Sequence, residues 1–228
     1  MKLPGNRDKK IIDGTHRIVF YLLPLLGLAF LLWYIKNAAC DVVYSDYIRL
    51  VNSYLPDVFN PEKFFVADVL TRIPINYLSR IINVKFFGFS ITFDRVLGAV
   101  SVSLAAWCFA AYSRQLKINI KWFITFMIVM FSLNKWEMLT NGSGWSHFFA
   151  FACFYYHQIL FDRYYRGQER KWDKTILMLI PWLIILGTAG PYCAIYAVVM
   201  ILASVANSFF SQPTAFIYSS QMEEKVSI

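Results

Sequence analysis

A chain of 228 residues that is 58% hydrophobic and 18% aromatic, with a mean hydropathy of +0.47, carries more apolar side chain than one soluble core needs. Its net charge of +8 and pI near 9.3 would suit a nucleic acid, but the Lys and Arg residues fall between apolar runs and not in one patch, which argues against a nucleic-acid partner. Cys40, Cys108, Cys153 and Cys193 lie far apart, with no CxxC pair and no metal-ligand spacing, so they read as small hydrophobes in helix packing ahead of a redox or metal role.

The N-terminal residues 1–17 are basic and read as a cytoplasmic segment. The first apolar run, Ile18 to Ile35, has no charge and is about long enough to cross a ~30 Å hydrocarbon layer at ~1.5 Å per residue. Trp33 and Tyr34 at its far end suit the interface, and without a small-residue cleavage site the run reads as a retained span.

Between this run and the next lies an outer loop, residues 37–93, too long for a simple connector. Ser45 is placed to cap a helix in which Tyr47, Leu50, Val51 and Tyr54 share one apolar face, with Asp46, Arg49 and Ser53 opposite. Pro56 and Asp57 end it, and Asn60 with Pro61 opens another. A third amphipathic piece, Ile75 to Val84, is expected to lie in the interface with Arg80 and Lys85 reaching toward lipid phosphates.

Five more apolar runs follow, near 96–112, 122–133, 145–161, 176–189 and 192–210, the last two separated by a turn at Gly190 and Pro191. Within them the ionisable groups are chiefly His147 and His157, ten positions apart and on different faces, read as packing residues. The connectors assigned inside hold Arg114, Lys117, Lys121, Arg163, Arg166, Arg170, Lys171 and Lys174, while the short outer loops hold little beyond Lys135. The expectation is therefore an all-α membrane bundle of about six spans forming one domain over 18–210, with juxtamembrane helices in the first outer loop. The N-terminus and the tail 211–228 are expected in the cytoplasm, and the protein in the cell membrane.

The outer loop holds the candidate chemistry, with Asp46 favoured because it sits near the membrane and a helix N-terminus stabilises a carboxylate. The stretch DVVYSDYIRLVNSYL resembles the early-loop acidic motif of bacterial integral-membrane glycosyltransferases of the GT-C superfamily. FSLNKWEMLTNGSGW resembles their second outer loop, where a Trp-Glu pair follows the third span, and the likeness extends over roughly residues 15–210. Members normally have more spans and often an exterior domain, so the resemblance implies a short member or an N-terminal transmembrane module.

That resemblance implies transfer of a sugar from a polyprenyl-phosphate donor to a glycan, lipid or protein acceptor on the outer face. Asp46, helped by Asp41, would be the base; Arg49, Arg72 or Arg80 would hold phosphate; Glu137 would complete the acceptor pocket. It names no cofactor beyond the donor and leaves use of a divalent metal open. The competing expectation is a non-catalytic accessory subunit of polysaccharide assembly or export, docked on a membrane-protein partner, or an inactive fragment.

Overall fold

The computed structural model describes residues 6–38, 40, 42–65, 74–187, 194–202 and 205; the side chains of 6–17, 46, 50, 53, 54, 56, 65 and 74–76 lie outside that description. The described elements are helical, and no strand occurs among the described residues. Residues up to Gly190 form one compact unit and those from Pro191 a second, in which 194–202 and 205 are helical. The expected turn at Gly190 and Pro191 lies outside the described residues.

In the first unit, α1 (Asn6–Ala38) and α4 (Ile91–Gln115) contain the two stretches that, among the described residues, are long and apolar enough to cross a membrane, Ile18–Ala38 and Ile91–Gln115. Between them run α2 (Asp46–Tyr54), short 3-10 turns at Leu55–Asp57 and Pro61–Phe65, and α3 (Pro74–Phe87). After α4 come α5 (Ile120–Met130), a 3-10 turn at Leu133–Lys135, α6 (Trp136–Thr140), α7 (Trp145–Tyr165) and α8 (Asp173–Gly187). The run expected near 122–133 forms an α-helix of only 11 residues, about 16 Å long. It stops because the chain leaves helical geometry at Phe131 and Ser132, where the Ser132 hydroxyl donates to the Val129 carbonyl at 2.7 Å.

Cross-helix contacts fix the directions. Ser103 Oγ donates to the Pro24 carbonyl at 2.8 Å, and the Arg114 guanidinium bonds the Tyr21 hydroxyl and lies 5.1 Å from its ring centre, so α1 and α4 are antiparallel. Gln115 bonds the Asp162 carboxylate at one end while Gly98 faces Phe148 at the other, making α4 and α7 parallel. The Phe20 and Phe123 rings lie 4.1 Å apart and Phe131 covers Gly27, so α5 runs alongside α1 in the same sense.

What faces inward is small. The buried side of α4 carries Gly98, Ala99, Ser101, Ser103, Ala105, Ala106, Ala110 and Ser113, which let helix backbones approach closely. Large apolar side chains point out instead: Leu25, Phe30 and Trp33 on α1, Leu104 and Trp107 on α4, and Met178 and Trp182 on α8. A soluble bundle places these the other way round, so this outer surface suits an apolar surrounding.

The tightest fit is at Gly27. A Cβ there would lie 2.3 Å from ring atoms of Phe131, so Gly27→Ala forces the ring, and with it the end of α5, away from α1. The expected loss is ~1–3 kcal/mol, the usual cost of overpacking, read as a lower thermal midpoint in detergent. Adding Phe131→Leu to that variant should recover part of the loss.

Candidate functional site

At the end of the bundle where α4 and α7 begin, the two expected outer loops meet. Ser45 occupies the position expected of a helix cap, yet its hydroxyl caps nothing: it donates to Glu137 Oε1 of α6 at 2.8 Å. Its φ of 57° is unusual for a residue with a side chain, and the tie to Glu137 helps hold it there. One residue earlier, the Tyr44 hydroxyl pairs with Thr140 Oγ1 at 2.6 Å. Arg95, in the first turn of α4, donates from Nε to the Thr140 carbonyl at 2.5 Å and from Nη2 to the Cys40 carbonyl. Together these bonds tie Cys40, Tyr44 and Ser45 to Glu137 and Thr140, Cys40 through Arg95.

Beneath that junction lies a buried polar cluster. Tyr47 of α2, Arg80 and Asn83 of α3 and Asp94 of α4 are all no more than 3% exposed. Asp94 Oδ2 accepts from the Tyr47 hydroxyl, from Arg80 Nη1 and, at 3.0 Å, from Asn83 Nδ2. Arg80 Nη1 also lies 3.0 Å from the Tyr47 oxygen. Asn83 in turn fixes the α3–α4 turn, its Oδ1 accepting from the Ser90 amide at 2.8 Å and its Nδ2 donating to the Ser90 carbonyl at 3.0 Å. Burial, reinforced by the Asp94 charge and offset in part by Arg80, raises the Tyr47 pKa, so its hydroxyl stays a proton donor at any physiological pH.

The cluster is unevenly satisfied: Arg80 Nε, Arg80 Nη2 and Asp94 Oδ1 have no hydrogen-bond partner among the described residues. Its chemistry is mainly structural, because an ion pair out of water is held by the bonds around it and pins three helices to one point. Gly142 closes the top at φ +81°, where a Cβ would come 3.2 Å from Asp94 Cβ and Tyr47 Cε2. Only a glycine combines that backbone conformation with that approach.

The residues singled out from the sequence are distributed unequally over this arrangement. Asp46 is the first residue of α2, directly after Ser45; its side chain is outside the described set. Arg49 is exposed on α2, and Glu137 is exposed at the loop junction. Asp41 and Arg72 lie outside the described residues. Arg80 departs from expectation: it does not reach outward to phosphate but is 3% exposed and bound to Asp94, while Lys85 on the same helix is exposed. The physical reason is that Arg80 follows the buried Tyr77 by three positions, on the helix face that packs inward.

Asp94, Asn83 and Arg95 were not anticipated. The available signal was the pair Asp94–Arg95 standing at the head of an apolar run, where two opposite charges need partners from elsewhere in the fold. Tyr47 was expected on an apolar face, and it is buried there with Val51 and Tyr77 around it. Asn141 of the Asn-Gly-Ser sequence is buried, its Oδ1 accepting from both the amide and the hydroxyl of Ser143 at 2.8 Å. Among the described residues, no three His, Cys, Asp or Glu side chains gather closely enough to hold a metal ion.

No protein-family model matches this chain, no curated protein matches it, and no solved structure matches it.

Proposed function

We propose that this chain is a multi-pass membrane protein of about six spans, N-terminus inside, whose two outer loops form a site for transferring a sugar from a polyprenyl-phosphate donor. The observation that carries the reading is the junction of the loops, where Ser45 bonds Glu137 and brings the start of α2, with Asp46, beside the Trp-Glu segment of α6. Two stretches that resemble glycosyltransferase motifs, 92 positions apart in the chain, thus come together at one end of the bundle.

In this reading Asp46 takes the proton of the acceptor hydroxyl, with Asp41 in support, and Glu137 positions that hydroxyl. Arg49 and Arg72 hold the departing phosphate by bidentate hydrogen bonds, while Arg80 keeps the loop helices on α4. Orientation follows the charges. Arg114, Lys117, Lys121, Arg163, Arg166, Arg170, Lys171 and Lys174 lie in the connectors α4–α5 and α7–α8 or in the helix turns that flank them, at the end away from the loop junction. The acceptor is an envelope glycan, lipid or protein.

The test is transfer of labelled sugar from polyprenyl-phosphate donors in membranes that contain the chain, against membranes that lack it. Transfer above background supports an enzyme; none from the inserted chain, across several donors and acceptors, contradicts it. A second reading, a non-catalytic accessory subunit of polysaccharide assembly or export, is favoured by one observation: the buried charged groups Arg80 and Asp94 bind each other. Loss of export with intact sugar transfer would select it.

A further inference from the structure

On the side of the bundle, between α5 and α7, lies a cleft of about 490 Å³. Ala105 of α4 is in its floor, Phe126 and Val129 of α5 form one wall, and Phe148 and Phe151 of α7 form the other. Phe126, Val129 and Phe151 are themselves exposed, so the cleft opens sideways between α5 and α7. Its lining is mostly apolar; the polar side chains in it are Tyr155 of α7 and, just beyond the end of α5, the cation Lys135.

Among the described residues the Lys135 ammonium gives one hydrogen bond, to the Ser132 carbonyl at 2.9 Å, which leaves two of its three donors. Among the described residues it forms no ion pair with a carboxylate. Burial lowers its pKa, as for a cation short of a counter-charge. A groove with apolar walls open to the side and one cation at its end matches a molecule with a hydrocarbon chain and an anionic head. A soluble anion would leave the walls bare, and an uncharged lipid would leave the ammonium unmatched.

We propose that this cleft holds one acyl chain of an anionic phospholipid from the surrounding bilayer, with the lipid phosphate on Lys135. The chain fills the apolar walls, and the phosphate supplies the counter-charge that Lys135 lacks. The site rests on the membrane placement proposed above but not on sugar transfer, so lipid binding and transfer can fail separately. A chain that stays soluble without detergent would remove the membrane placement itself.

The experiment is native mass spectrometry of the full chain purified in detergent and offered phosphatidylglycerol or phosphatidylcholine with identical acyl chains. Wild type should retain phosphatidylglycerol about fivefold better, the preference expected from one lysine near a lipid phosphate. Lys135→Gln should retain both lipids equally, and Val129→Trp, which narrows the opening at an exposed position, should retain less of either. Equal retention by wild type, or an undiminished preference in Lys135→Gln, overturns the proposal. Displacement of bound phosphatidylglycerol by an equal concentration of a polyprenyl phosphate also overturns it, by assigning the cleft to a carrier lipid.

Discussion

Arg80→Met should cost this protein ~3–5 kcal/mol of stability, enough to lower its thermal midpoint in detergent sharply or to prevent its accumulation. Asp94 is fully buried, and Arg80 is its only charged partner among the described residues. Removing the guanidinium leaves a carboxylate out of water with, among the described residues, Tyr47 and Asn83 donating to it. The reverse change, Asp94→Leu, strands the arginine and should cost a similar amount.

The double variant Arg80→Met/Asp94→Leu should be more stable than either single one, because no isolated charge remains and the site keeps its volume. The unpartnered Nε, Nη2 and Oδ1 atoms make this recovery larger, since the native pair is itself incompletely satisfied. Single losses below ~1 kcal/mol, or a double variant as unstable as the sum of the singles, would mean the cluster does not hold α2, α3 and α4 together.

Asp46→Asn should lower sugar transfer by about 10²–10⁴-fold, the usual contribution of a positioned general base. The substitution keeps the size and shape of the side chain, removes its charge and turns one acceptor oxygen into an NH2 donor that cannot take a proton. At the first position of α2 that charge is worth ~0.3–1 kcal/mol to the helix, so the variant should still fold and insert. Glu137→Gln keeps an oxygen for the Ser45 hydroxyl and should act more mildly, raising the apparent KM for the acceptor more than it lowers kcat. Transfer by Asp46→Asn at the wild-type rate would take the base away from this residue.

The helical class and most element positions were readable in the sequence because long apolar runs and i, i+3, i+4 spacing are local signals. Ile18–Ile35 and Val96–Tyr112 fall inside α1 and α4, and the piece expected over Ile75–Val84 lies inside α3, Pro74–Phe87. Helix lengths were less readable: α5 ends at Met130 with a weak local signal, the Ser132 hydroxyl on the Val129 carbonyl, and with Phe131 packed on Gly27, which is 104 positions away.

The site divides along the same line. Ser45, Asp46 and Glu137 stand in segments that stand out by themselves, whereas Asp94 owes its meaning to Tyr47, Arg80 and Asn83, which come from two other helices. Arg80 shows the limit most directly. An arginine on an amphipathic helix reads as an outward cation, and only the presence of a buried carboxylate across the packing face turns it inward.

The claim on which the rest depends is that the loop junction lies on the outer face of the membrane, and Cys40 reports on it. This cysteine is exposed and next to the junction, its carbonyl bound by Arg95. In a chain carrying Cys108→Ser, Cys153→Ser and Cys193→Ser, a membrane-impermeant maleimide added to intact cells should label Cys40 fully. Labelling that appears only after the membrane is permeabilised would put the junction inside and contradict the account.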